Sequence, residues 1–341
     1  MDPFRNFNTY KIDPLTEIRN AGIVTNGSVF WVSSTADSAH TTRTNNFGNN
    51  AVQTTLQGAI DASVSDRNDY IMVIPTDGGT VRALGTAVDV NEDRLHILGI
   101  GYKPSPMAYN GLTFNGYVAT AQDSELVNVT GAGVELGGLR FLGTSAVGTG
   151  GTMTSMMRVG TAASGTPHDF WMHDVHIESN VAAADNGTAV IVDFVGDVGG
   201  GITGVSFDRC WLGNWGWAPE QVIDLGGGTA GPTRFEARDC TFVIDAQVVG
   251  DDFVRNGTGL TEYAIFKNCD FINVEAGTAL TSAFTGAVLV DNPLILRNNS
   301  YLNVTQAGTD TEAYKSPAFS GTNPGIADTG IYIGTAAISP V

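Results

Sequence analysis

The sequence predicts an all-β chain wound as a parallel β-helix (solenoid), with a short capping helix near its N-terminus. Three observations predict it. First, one phrase returns: VSFDRCWL at 205–212, FEARDCTF at 235–242, AIFKNCDF at 264–271 and LILRNNSY at 294–301, with Cys210, Cys240, Cys269 and Asn299 as anchors 30, 29 and 30 residues apart. Second, side chains alternate within each phrase and then slip by one residue. Val205 and Phe207 face in, Asp208 and Arg209 form an outward polar pair, and Cys210 and Leu212 face in again. That is a strand, a tight corner and a second strand. Third, no segment of the repeat keeps the spacing of a helical apolar stripe. Coils of roughly 20–30 residues that stack bury one continuous core. A leucine-rich repeat would need a leucine-dense consensus, and a propeller blade needs about 40 residues and four strands.

The capping helix is expected in TTLQGAIDAS at 54–63, where Leu56, Ala59, Ile60 and Ala62–Ser63 share one face and Thr54 or Thr55 stands at the N-cap. It closes the open end of the solenoid, whose edge strands would otherwise template aggregation. Residues 1–50 are expected to be a non-repeating arm, with a poorly alternating Val29-Phe30-Trp31-Val32 and a polar loop, STADSAHTTRTNNFGNN, behind it. Residues 51–304 form the β-helix with its cap, and 305–341 a C-terminal cap or partner-contacting tail containing a last strand at 331–333.

Short apolar runs follow the helix: YIMVIP at 70–75, GGTVRA at 78–83, AVDV at 87–90 and LHILGIG at 95–101. The order TLQGAIDA, IMVIP, LHILGIG, with Pro75, Gly99 and Gly101, resembles the opening coils of the pectate-lyase-like superfamily of β-helices. The resemblance covers about residues 54–101 and implies a right-handed winding, the fold also of many phage fibre and tailspike proteins. Tracing the repeat backwards sets earlier anchors at Ile100, Leu139 and Val175. The extra residues per coil fall at 102–111, 143–155 and 160–169, expected as outward loops of the kind that carry binding.

Composition narrows the function. The 341 residues carry 35 acids against 17 Lys plus Arg, a net charge of −18, which offers no basic stripe to a nucleic acid. Charged residues are 15% of the chain, below the roughly 25% of ordinary soluble domains, with 43 glycines in compensation. No membrane span and no signal peptide are apparent. The three cysteines, all repeat anchors, are expected as inward core fillers; no CxxC knuckle points to a metal, and no cofactor is expected.

His168, His173 and His176 lie close in sequence, with His173 expected at the corner and His176 outward beside Asp174, a polar surface rather than a metal site. Corner residues Asp208/Arg209, Arg238/Asp239, Lys267/Asn268 and Arg297/Asn298 mix signs, which reads as charge compensation between rungs rather than the calcium cage of a pectate lyase. Asp251, Asp252 and Glu262 are carboxylates available for glycoside hydrolysis, but sequence does not pair them across coils, and no catalytic residue is assigned. The phrase CWLGNWGWAPE makes Trp211, Trp215 and Trp217 the interface candidates.

Together with the resemblance, these features lead to the expectation of a structural component of a phage particle, a capsid decoration or tail-associated protein. It is expected to be made in the host cytoplasm, to self-associate as a homotrimer and to contact other virion proteins. The alternative is a lyase or glycoside hydrolase, or a binding protein, for host-surface glycans.

Overall fold

The computed structural model describes residues 27–308 and 332–333 apart from 38–39, 77–81, 85–86, 101–112, 117–124, 144–154, 162–166, 180–189, 197–201, 215–218, 227–230, 247–250, 256–261, 276–279 and 286–293. The described strands form three parallel sheets of ten, nine and eight strands. From Tyr70–Val73 to Val304–Gly308 each strand pairs with the third one after it, so three strands make one coil of a right-handed parallel β-helix. Of the expected insertions, 102–111, 144–154 and 162–166 lie outside the described residues.

The corner between the first and second sheets explains the repeated phrase. Gly138, Asp174, Arg209, Asp239, Asn268 and Asn298 sit there with φ between 52° and 64°, one left-handed residue per coil. Asn, Asp and Gly tolerate that conformation best. Each corner amide donates to the next coil: Asp174 to the Asp208 carbonyl (3.0 Å), Arg209 to Arg238 (2.9 Å), Asp239 to Lys267 (3.0 Å), Asn268 to Arg297 (2.9 Å). The second residue of each polar pair is therefore the turn itself. Arg209 is the atypical member, and its guanidinium makes two bonds, 2.8 and 2.7 Å, to the Asp174 carboxylate one rung away. Charge compensation between rungs is seen for Arg209, whereas Arg238 pairs with Glu236 of its own strand.

Just past the corner, Leu139, Val175, Cys210, Cys240, Cys269 and Asn299 form a buried column. All three cysteines are free. Burial in an apolar column pushes the Cys210 and Cys269 thiols up, which keeps them neutral. Asn299 ends the column by accepting the Cys269 amide (2.9 Å) and donating to the Phe266 carbonyl (3.1 Å). Inside, aromatic rings stack in register with the strands: Phe242 on Phe271 (4.9 Å) and Phe271 on Tyr301 (5.2 Å). Phe266 meets Phe235, Phe242, Phe271 and Phe284, so its truncation to Ala would cost about 3–5 kcal/mol.

The capping helix spans Leu56–Ala62, with Thr55 as N-cap accepting the Gly58 amide at 3.0 Å and Leu56, Ala59 and Ile60 buried. Its Gln57 both accepts from the Asp89 amide (2.8 Å) and donates to the Asp89 carbonyl (3.3 Å). The side-chain amide thus stands where a next strand would be, on the outermost strand of the third sheet.

At the N-terminal end, Val29–Val32 of the non-repeating segment runs along the first coil, pairing with Tyr70–Val73 and Val52–Gln53 inside the first sheet. The following polar stretch contains a helix, His40–Phe47, rather than a continuous loop. That helix buries no residue; Phe47 stacks on Trp31 at 5.1 Å and closes a small apolar cluster of Trp31, Val52 and Met72. At the other end the ladder continues through Val304–Gly308, beyond the point where the repeat fades, and Tyr332–Ile333 adds a strand beside Ser300–Leu302.

Candidate active site

The third sheet carries a phrase of its own. Val127–Val129, Ser155–Val159, Val190–Phe194, Gln221–Asp224 and Asp252–Arg255 are mainly apolar strands that share a polar residue at one register. Register pairing links Asp89 to Asn128, Asn128 to Arg158, Arg158 to Asp193, Asp193 to Asp224 and Asp224 to Arg255. Neighbouring strands are about 4.8 Å apart, so the chemistry changes once per rung along a straight row.

At its centre two aspartates face one another across one strand spacing. Arg255 is ion-paired through Nη2 to Asp224 Oδ2, and its Nη1 lies 3.8 Å from Glu220. Arg158, on the far side of Asp193, directs Nη1 to Glu125 at 2.6 Å. Burial pushes the Asp193 carboxyl up to about 6; the Asp224 charge pushes the same way, while Arg158 and Arg255 pull against them. The Arg255 guanidinium is raised by its bond to Asp224. One carboxyl group thus holds its proton to higher pH than an ordinary aspartate, beside a second that is clamped by an arginine. That division suits an acid and a nucleophile or base.

Buried Gln221 stands in register with Val190 and Asp252 beside the pair. Gln221 Oε1 and Asp224 Oδ1 are buried without a hydrogen-bond partner among the described residues. Uncompensated polar atoms cost free energy in a folded chain, and they gather where a ligand supplies the missing bonds.

The residues singled out from sequence fall in different places. Asp252 lies next to Gln221 and Asp251 is buried beside it, whereas Glu262 pairs with Arg234 at 2.6 Å by the first sheet. Asp193, Asp224 and Arg255 were passed over; their signal is a second recurrence, 128, 158, 193, 224 and 255, spaced 30, 35, 31 and 31 residues. Trp211 is half-buried, its indole N–H bonded to the Gly213 carbonyl at 2.9 Å, and Trp215 and Trp217 lie outside the described residues.

The histidines correct one expectation. His168 shares a 2.7 Å hydrogen bond with the Thr203 hydroxyl. His176 is 1% exposed, not solvated beside Asp174. Its strand sets it in register between Arg140 and Trp211, and burial, with the Arg140 charge, pushes it down to about 3. His173 donates from both ring nitrogens, to Glu135 and Asp174, each at 2.9 Å. Among the described residues no group of three His, Cys, Asp or Glu side chains could hold a metal ion.

No protein-family profile matches the chain, and no curated protein does. Among solved structures it is similar to the pectin methylesterase of Aspergillus niger, with 12% identity, a TM-score of 0.42, and 92% of this chain and 93% of that one covered. A pectin methylesterase mutant in complex with a hexasaccharide is similar at 12% identity and a TM-score of 0.39, covering 93% and 91%. The likeness lies in the β-helical winding, and the chemical reading of the row rests on this chain's own residues.

Proposed function

We propose that the protein is a hydrolase acting on a polysaccharide, with Asp193 and Asp224 as its catalytic pair. The observation that carries this reading is two aspartates in register on adjacent strands, Asp224 ion-paired to Arg255 and Asp193 with its carboxyl pushed up by burial. It puts the glycan-acting alternative ahead of the virion scaffold expected first from sequence. A straight polar row parallel to the solenoid axis suits an extended polymer, and Arg158 and Arg255 bracket the pair where an oxygen-rich chain would pass.

In the proposed reaction an Asp224 oxygen attacks the electrophilic carbon of the scissile glycosidic or ester bond. Asp193 gives its proton to the departing oxygen as that bond breaks. Water then attacks the covalent intermediate, its proton passes to the Asp193 carboxylate, and Asp224 is released as carboxylate. The close spacing favours this double displacement over an inverting mechanism, which needs about 6.5–9.5 Å between carboxyl groups. Arg255, ion-paired to Asp224, holds that carboxylate in place.

The test is turnover on a panel of neutral, acidic and esterified polysaccharides, read by new reducing ends and by released alcohol or acid. Asp193→Asn and Asp224→Asn should each lower turnover by about 10²–10⁴-fold with an unchanged β spectrum. Turnover indifferent to both substitutions, or polymer binding with no bond broken, overturns the assignment.

A further inference from the structure

Trp171 is exposed, at 41%, and is the one aromatic among the exposed large apolar residues described. It sits on the outer row of the first sheet, a different face from the aspartate pair, in register between Glu135 and Ser206. Its ring is held at two points: the indole N–H donates to Asp208 Oδ2 at 2.8 Å, and the ring packs against His173, centroids 4.4 Å apart. A tryptophan serving only as core cover would be turned inward; this one is fixed edge and face with its outer surface in solvent.

The next rung leaves room beside it. Ser206 is the in-register neighbour, and Glu236 follows one rung further, so a small residue lies between an aromatic ring and a carboxylate. The span from Trp171 to Glu236 is two strand spacings, about 9–10 Å. The nearby cations are committed: His173 to Glu135 and Asp174, Arg209 to Asp174, Arg238 to Glu236. What the shelf presents is an apolar ring face bordered by the hydrogen-bond-accepting carboxylates of Asp208 and Glu236.

We propose that this shelf is a binding site for a neutral saccharide, one sugar ring stacking on Trp171 over Ser206 with hydroxyls donating to Asp208 and Glu236. The sugar C–H face meets the indole, and hydroxyl donors meet acceptors. A uronate is disfavoured because its charge would face the carboxylates of Asp208 and Glu236, and Arg209 and Arg238 beside them are already ion-paired. The site is independent of the Asp193–Asp224 reading, since it lies on another sheet and needs no bond cleavage.

Titration calorimetry of the whole chain with cellohexaose, mannohexaose and hexagalacturonate tests it. At least one neutral hexaose should bind and the uronate should not compete with it. Trp171→Ala should weaken that binding at least tenfold, and Trp171→Phe should retain most of it. Circular dichroism should be the same for both variants. The proposal is overturned if neither neutral hexaose binds, or if binding survives Trp171→Ala. It is also overturned if Trp171→Ala changes the native mass of the protein, which would make the ring a protein contact.

Discussion

Asp224 is clamped by Arg255, whereas Asp193, one strand away, has no ion pair among the described residues, the neighbouring Arg158 turning to Glu125. The two aspartates share a sheet and a register, and the side chains on either side make them unequal. Asp193 supplies the proton only while it holds one. With its carboxyl at about 6, the protonated fraction at pH 7 is about a tenth and falls tenfold for each further pH unit. The rate should therefore have a descending limb near pH 6. Removing the Asp224 charge in Asp224→Asn should move the Asp193 titration, followed by carboxyl NMR, to lower pH. An unmoved titration would mean the pair is not coupled.

His173 makes a second electrostatic prediction, about stability. Burial works against the imidazolium, but bonds to Asp174 and Glu135 outweigh it and raise the group from its ordinary 6.5 to about 9. Because the folded value is raised, the stabilisation is fully present below pH 6.5 and is lost as pH rises through about 9. The size is about 2–3 kcal/mol at most, since the ring is partly solvated. Urea melts of wild type and His173→Gln should differ most at pH 6 and converge by pH 10. A constant difference across that range would show that packing, not charge, sets the effect.

Asn299 tests the anchor column. Two coils earlier the amide of Cys210 meets a thiol, at 3.4 Å from Cys240 Sγ; in the last coil the Cys269 amide meets the Asn299 oxygen at 2.9 Å. Asn299→Leu leaves that buried amide and the Phe266 carbonyl short of partners and should cost about 1–3 kcal/mol. Asn299→Cys restores the earlier pattern and should cost less. Equal losses in thermal melts would show that shape, not hydrogen bonding, fixes this position.

How much of this was legible in the sequence depended on how tightly strands are joined. The first and second sheets meet at a single left-handed residue, so Phe207-Asp208-Arg209-Cys210 and its echoes stay in fixed spacing and the repeat stands out. The third sheet is separated from both by longer, variable connections. Its phrase drifts, and Asp193 within VIVDF or Asp224 within QVID reads as a buried strand with a stray polar residue. The helix at His40–Phe47 escaped because HTTRTNNF has no apolar face; it is held by Phe47 on Trp31 and by Arg43 donating to the Ser33 hydroxyl at 2.8 Å. Trp171 was passed over beside three histidines, and its exposure follows from the pairing register, which the sequence does not number.

The edge device at Gln57 carries the last prediction. Parallel pairing inside the solenoid leaves the Val88–Val90 strand as the outermost of the third sheet, and Gln57 satisfies both the amide and the carbonyl of Asp89 there. Gln57→Ala removes both bonds without altering the apolar face of the helix, which is made by Leu56, Ala59 and Ile60. The fold should lose about 1–2 kcal/mol, and the bared strand should recruit another edge. Native mass measurement separates this from designed assembly. The homotrimer proposed through Trp211, Trp215 and Trp217 would appear in wild type as a discrete multiple of 35.7 kDa, because closed symmetry stops growth. The Gln57→Ala chain should instead add a concentration-dependent, open-ended series of larger species. If the variant keeps the wild-type mass distribution and melts at the wild-type temperature, Gln57 is not what protects the edge.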